Sequence, residues 1–263
     1  MRRYYFRILL IKMLLPVALF GQAPTAGKNT ISLRGKPVDI YFYPAAKGSG
    51  GPVSIKILYT PGNAGMKRMA VDMAQKMAAW GYDVYGLDVK AYLESFTSAD
   101  AKLKDTDVMA DYREIARWIT KGKTEPVLLV GWSQGAGMNL LAGMPAENKK
   151  VFSGMICIGL GPENVLGWKL ADDIADAFRK MPNEPKFQSA NYLPKITVLP
   201  FYWIQSSRDE WTTLEQTKTM FALAPEPKKL ILIQAENHHF KNHVDEFYQA
   251  LSEGIKWISQ SSH

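Results

Sequence analysis

Apolar positions along this chain keep changing period. From about residue 54 onward, short apolar runs rich in β-branched side chains alternate with longer stretches in which apolar residues recur every three or four positions. The first pattern belongs to strands buried on both faces, the second to helices with one buried stripe. Strands are expected over residues 54–59, 84–89, 127–130, 152–160, 196–205 and 229–234, and helices over 66–80, 107–120, 212–223 and 244–258. Met69, Met73, Met77 and Trp80 share a face of the first helix, and Tyr112, Ile115, Ala116 and Ile119 share one of the second. Ahead of this region, residues 30–33 and 38–43 form a short hairpin, followed by the flexible run Lys47-Gly48-Ser49-Gly50-Gly51-Pro52. Strands and helices alternating at this spacing predict the α/β class, with a mostly parallel central sheet and helices on both faces. The stretch 161–195 is too long for a simple connection and carries Trp168, Phe178 and Phe187, so a small helical insertion is expected there.

The N-terminus departs from this alternation. Arg2, Arg3 and Arg7 precede an apolar core over residues 8–20, and small residues follow at Gly21 and Ala23. This is the layout of a cleaved export signal over residues 1–23, which leaves one α/β domain over 24–263 and a periplasmic or secreted address. Lys12 and Pro16 interrupt the core, which falls short of the roughly 20 residues a spanning helix needs. The formal charge of +7 changes meaning accordingly. Four of the 32 basic residues and none of the acidic ones lie in the signal, so the remaining chain carries +3. No basic tract argues for nucleic acid, while a modest positive charge is compatible with an anionic membrane surface. Cys157 is the only cysteine and sits in an apolar run, which excludes an internal disulfide and a cysteine-rich metal site. It reads as a buried small hydrophobe.

The strand over 127–130 runs directly into Gly131-Trp132-Ser133-Gln134-Gly135, and Met138, Leu140, Leu141 and Met144 continue at helical spacing. A bare Gly-x-Ser-x-Gly arises by chance in about one chain of this length in ten, so the context has to carry the reading. Strand, sharp turn and helix in that order form a nucleophile elbow, which holds a serine above the sheet for attack on a carbonyl. Ser133 is the candidate nucleophile.

A serine hydroxyl needs a base within hydrogen-bond reach, and the base needs an orienting acid. The chain has four histidines, His238, His239, His243 and His263, and only the first two directly follow an expected strand. In Asn237-His238-His239-Phe240 an apolar residue follows His238 by two positions, which favours His238 as base with His239 as fallback. Among the aspartates between Ser133 and His238, Asp172, Asp173 and Asp176 lie in the insertion. Asp209 follows the strand ending near Gln205 and is the candidate acid, with Glu210 as fallback and a helix cap as its plain structural alternative. The tetrahedral oxyanion needs donors. They are expected from the backbone N–H of Gln134 and from the small-residue loop Thr60-Pro61-Gly62-Asn63-Ala64-Gly65, with Asn63 first and Ala64 second. Such a site requires no metal and no organic cofactor.

These residues resemble the α/β-hydrolase superfamily, and within it the bacterial VirJ/AcvB-type virulence-protein family. The resemblance rests on Tyr59-Thr60-Pro61-Gly62-Asn63-Ala64-Gly65, on the stretch from Trp80 to Asp88 with Tyr92 beyond, on Gly131-Trp132-Ser133-Gln134-Gly135-Ala136 and on His238-His239-Phe240. The family's loop carries an acidic residue and a tryptophan where this chain has Asn63 and Met66, and its elbow an aromatic where this chain has Gln134. The resemblance implies an exported serine hydrolase acting on an aminoacylated phospholipid such as lysyl-phosphatidylglycerol, in peripheral contact with the membrane. Two other readings stand beside it: a broad carboxylesterase or dienelactone-hydrolase-like enzyme on small esters, and a non-catalytic envelope or secretion-associated binding protein on a hydrolase scaffold. Acyl group, leaving alcohol and oligomeric state are open at this point, as is whether the insertion acts as a lid.

Overall fold

The computed structural model describes residues 23–46, 55–98, 102–177, 180, 182–196 and 199–261. The expected export signal, apart from Ala23, lies outside the described residues, as do the glycine-rich run at 47–52 and Phe178. Strands β1 (Gly27–Leu33) and β2 (Lys36–Tyr43) form the expected hairpin, turning at Arg34 and Gly35, both at positive φ. β3 (Lys56–Thr60), β4 (Asp83–Leu87), β5 (Val127–Trp132) and β6 (Phe152–Ile158) follow. Two short strands, β7 (Glu163–Val165) and β8 (Lys186–Gln188), make a separate antiparallel ribbon, after which β9 (Phe201–Ser206) and β10 (Lys228–Ile233) complete the main sheet. That sheet has eight strands in the order β1-β2-β4-β3-β5-β6-β9-β10. β2 lies antiparallel to β4, and every later pair is parallel.

Seven helices accompany it among the described residues: α1 (Met69–Ala79), α2 (Val89–Phe96), α3 (Asp105–Thr120), α4 (Gln134–Ala142), α5 (Leu170–Ala177), α6 (Leu214–Leu223) and α7 (Val244–Ser261). Parallel strands need both faces covered, and alternation along each strand divides the core in two. Leu58, Leu129 and Cys157 face α4, in one cluster with residues of α3 and with Trp203, which packs on Phe221 of α6. Tyr59, Val130, Ile156 and Ile204 point the other way, into the layer built by Met73 and Met77 of α1 and by Phe247, Leu251 and Ile255 of α7. Each large apolar side chain buried this completely contributes about 1.5–3 kcal/mol, so the sheet holds its register through the sum of many such contacts. Every residue of α4 is buried, which is why its sequence shows no polar stripe.

Besides shifts of two or three residues at element ends, such as β6 stopping at Ile158 rather than 160, the structure differs from the expected elements in three places. Residues 61–68 remain a loop, so α1 begins at Met69, after Arg68 at φ 46°. The strand expected over 84–89 ends at Leu87, and α2 follows at once. Asp88 caps it by accepting the Ala91 N–H at 3.1 Å, and Val89, Tyr92, Leu93 and Phe96 make its buried face. The insertion is not purely helical: ribbon β7/β8 frames α5, and a 3-10 turn over Leu193–Lys195 delays β9 to Phe201. Ile196 and Leu199, which extend the apolar run, are buried loop residues, and periodicity alone does not separate those from a strand.

Candidate active site

Every parallel strand in the sheet releases its following loop at the same edge, and there the candidate residues meet. β5 ends at Trp132, and Ser133 takes φ 55° and ψ −120°, a strained conformation for a residue with a side chain. Its N–H donates to the Ile158 carbonyl at 2.8 Å, and α4 starts at the next residue. The two motif glycines explain how the turn closes. A Cβ on Gly131 would lie 2.5 Å from the Gly135 carbonyl oxygen, and one on Gly135 would lie 1.9 Å from that of Thr60. The first turn of α4 is therefore pressed against the loop that follows β3. In that loop Gly62 packs on Ser133, where a Cβ would lie 3.3 Å from the serine Cβ. Asn63 is half-buried and Ala64 is exposed.

Asp209 and His238 come together as expected. His238 Nδ1 donates to Asp209 Oδ2 at 2.7 Å, and both residues are buried, at 5% and 7% exposure. Burying a carboxylate is costly unless donors replace water. Three more are present. Gln205 Nε2 donates to Oδ2 at 2.8 Å, while the Trp211 and Thr212 N–H groups donate to Oδ1 at 2.8 and 3.2 Å. Gln205 accepts in turn from Trp203 Nε1 at 2.9 Å, extending the chain of bonds down β9. Asp209 thus organises its own turn, while the cap of α6 is Thr213, in a capping box with Gln216.

An acceptor at Nδ1 assigns the proton to that nitrogen and leaves Nε2 as the basic site. Nε2 is buried and bonds to no protein group, so the Ser133 hydroxyl does not donate to it in this conformation. Gly159, at φ 57° directly after Ile158, gives the ring its space. A Cβ there would stand 2.5 Å from His238 Cε1 and 3.4 Å from Nε2. The Ser133 main chain bonds Ile158 and the imidazole packs on Gly159, so both residues are held at the end of β6. Trp132 supports the ring from β5, nearly parallel to it with centroids 6.0 Å apart.

The fallback residues occupy other positions. His239 stands edge-on to Trp132 at 5.1 Å, and burial followed by the neighbouring His238 pushes its pKa below the ordinary 6.5. Glu210 does not reach the imidazole as an acid partner; its Oε2 accepts the backbone N–H of His238 at 2.8 Å. Asp172 accepts the Lys169 N–H and Asp173 bonds Trp168 Nε1, so both serve the insertion. Cys157 is fully buried, donates weakly to the Ala136 carbonyl and has its thiol pushed up by burial, which removes it as a nucleophile.

The Gln134 side chain clamps the insertion to the elbow, donating to the Val165 carbonyl at 2.8 Å and accepting the Val165 N–H at 3.2 Å. Gly159, Gln205 and the supporting role of Trp132 were not among the sequence candidates. A glutamine inside the apolar run 201–206 was the available signal for Gln205; Gly159 and Trp132 had none beyond proximity to strand ends.

Comparison with known proteins agrees with this architecture. Est1E from Butyrivibrio proteoclasticus superposes with a TM-score of 0.63 at 14% identity, covering 89% of this chain and 100% of that one. A putative dienelactone hydrolase from Klebsiella pneumoniae gives 0.63 at 16%, covering 90% and 98%. An α/β serine hydrolase without a lid from Xanthomonas campestris gives 0.60 at 15%, covering 89% and 96%. Similarity at these identities establishes the α/β-hydrolase fold. None of the curated proteins matches in sequence. Residues 54–186, just over half of the chain and including β3 to β7 with the serine elbow, match the family described as bacterial virulence protein (VirJ), and the chain belongs to that family.

Proposed function

We propose that this chain is an exported serine hydrolase that cleaves a carboxylic ester through an acyl-enzyme, with Ser133 as nucleophile, His238 as base and Asp209 as orienting acid. The observation that carries the reading is the buried 2.7 Å contact from His238 Nδ1 to Asp209, which leaves a basic Nε2 at the strand ends where Ser133 emerges. Ser133 Oγ attacks the ester carbonyl carbon as its proton passes to Nε2, a step that requires the serine to rotate toward the ring. The backbone N–H groups of Gln134 and Asn63, with Ala64 as the alternative, receive the oxyanion. Collapse breaks the acyl–oxygen bond, and the leaving alcohol takes the proton from His238. Water then repeats the sequence and releases the acid and free Ser133.

The substrate class proposed is an aminoacyl ester of a membrane phospholipid. Two features support it: membership of the VirJ family, and α5, which carries Leu170 and Ile174 one turn apart at 81% and 66% exposure. A second reading, a carboxylesterase acting on small soluble esters, is favoured by the likeness to the dienelactone hydrolase.

A fluorophosphonate probe tests the chemistry. The purified protein should be labelled at Ser133 and Ser133→Ala should not; folded protein that resists labelling overturns the assignment. Turnover of aminoacyl-phosphatidylglycerol in detergent against short-chain p-nitrophenyl esters then separates the two substrate readings.

A further inference from the structure

Two consecutive carboxylates hold one histidine at two different points. Asp209 takes the ring nitrogen of His238, and Glu210 Oε2 takes its backbone N–H at 2.8 Å. The surrounding loop explains why the second grip matters. Asn237 Oδ1 accepts the N–H groups of His239 and Lys241 at 3.0 and 3.1 Å, and the Asn237 carbonyl accepts that of Phe240 at 3.0 Å. Phe240 sits at φ 54° with its buried ring stacked on Phe247 at 4.5 Å. The N–H groups from 239 to 241 are thus satisfied inside the loop, which Phe240 anchors to α7. Only the N–H of His238 is met from a different segment of the chain, the turn after β9. A hydrogen bond at that point fixes the histidine main chain relative to the acid that orients its ring.

We propose that Glu210 is a positioning residue, which holds the His238 main chain so that the imidazole on Asp209 points Nε2 toward Ser133. The inference rests on the catalytic reading of Ser133, His238 and Asp209 given above. Without the Glu210 carboxylate no bond from the turn after β9 reaches the His238 main chain, and the backbone ahead of the Phe240 anchor is free to shift and carry Nε2 out of line. Displacements of about 1 Å at a reacting group cost on the order of 100-fold in rate.

Glu210→Ala and Glu210→Gln in the otherwise unaltered mature protein test this. In Glu210→Ala, kcat on a p-nitrophenyl ester should fall about 10-fold to 100-fold with KM within about twofold. Glu210→Gln, whose amide oxygen accepts the same N–H, should recover most of the loss. An unchanged kcat in the alanine variant overturns the proposal, and so does a glutamine variant as impaired as alanine, since that would make charge rather than the grip responsible. Hydrogen exchange at the His238 amide provides an arm independent of turnover. It should quicken in Glu210→Ala and return in Glu210→Gln; unchanged exchange shows that the bond does not hold the loop. If the unaltered protein resists the fluorophosphonate probe, the catalytic reading has failed, and the exchange result still decides whether the grip exists.

Discussion

His238 Nδ1 meets Asp209 Oδ2 at 2.7 Å, joining the loops that follow two neighbouring parallel strands, β9 and β10. A carboxylate at this position accepts only, so it fixes the tautomer as well as the ring angle. Asp209→Asn offers an amide that can donate to Nδ1 and shift the proton to the wrong nitrogen. On the proposed mechanism, ester turnover should fall by about 10³-fold to 10⁴-fold, the loss that follows when the acid orienting a catalytic histidine is replaced by its amide. Steady-state kinetics on protein checked for its fold by circular dichroism measure this, and a loss of less than about tenfold would mean the ring is oriented by something else.

Gly135→Ala should damage the fold before it damages chemistry. Its Cβ would lie 1.9 Å from the Thr60 carbonyl and 2.5 Å from that of Pro61, both backbone atoms that cannot swing aside. The expected loss is about 3 kcal/mol or more, in the upper range for overpacking. A urea unfolding midpoint measures it, and a variant as stable as the parent would mean that the elbow tolerates a wider separation from the β3 loop.

Gly159→Ala should act mainly on the site. The alanine must adopt φ near 57°, at a cost of about 1 kcal/mol, and its Cβ would stand 2.5 Å from His238 Cε1. The imidazole has to move, so kcat should drop about 100-fold while most of the stability survives. Kinetics and thermal melting of the same preparation separate the two effects; full activity would show that the ring does not depend on the space above Gly159.

Native Cys157 should resist iodoacetamide at mildly alkaline pH and react once the protein is unfolded in urea. Burial both hides the thiol and raises its pKa, so neither access nor thiolate is available in the folded state. Mass spectrometry of the labelled chain gives the answer, and rapid native labelling would show that β6 opens.

The lowered pKa of His239 has a signed consequence for stability. Below pH 6.5 the unfolded chain binds a proton at this residue more readily than the folded one. The contribution is complete above that value and is lost as pH falls from 6.5 through the folded pKa. Solvent screening at this surface position keeps it small. The melting temperature of His239→Gln should decline less steeply than that of the parent between about pH 7 and pH 5. Parallel curves would show that the ring is not sheltered by Trp132 and His238.

Much of the layer structure is legible before any coordinates. Leu128 and Val130 against Leu129, or Ile156 and Ile158 against Cys157, alternate between two buried faces, and an apolar run in which every residue must be buried fits a strand inside a parallel sheet. Helix α2 is instructive in the other direction. The helical spacing of Val89, Tyr92, Leu93 and Phe96 after a capping aspartate is present, yet the apolar run of β4 passes into it with only Asp88 between, and the expected strand absorbs Val89. The ribbon in the insertion was hidden for a different reason. β7 and β8 have three residues each, too short for a period to register, and β7 is held to the elbow by contacts from distant Gln134.

The sequence by itself determined the elbow, because strand, serine turn and helix are consecutive and the close approach of Gly131 to Gly135 is local. It also narrowed the candidate acid and base to the loops after the last two sheet strands, through chain order and the scarcity of histidine. Only the tertiary structure decided how those loops divide the work. Asp209 and Glu210 are adjacent carboxylates with nearly the same chemistry, and nothing local distinguishes a ring partner from a backbone tether. The packing of β9 against β10 sets which oxygen arrives at which nitrogen, and that distance is a property of the sheet rather than of either residue.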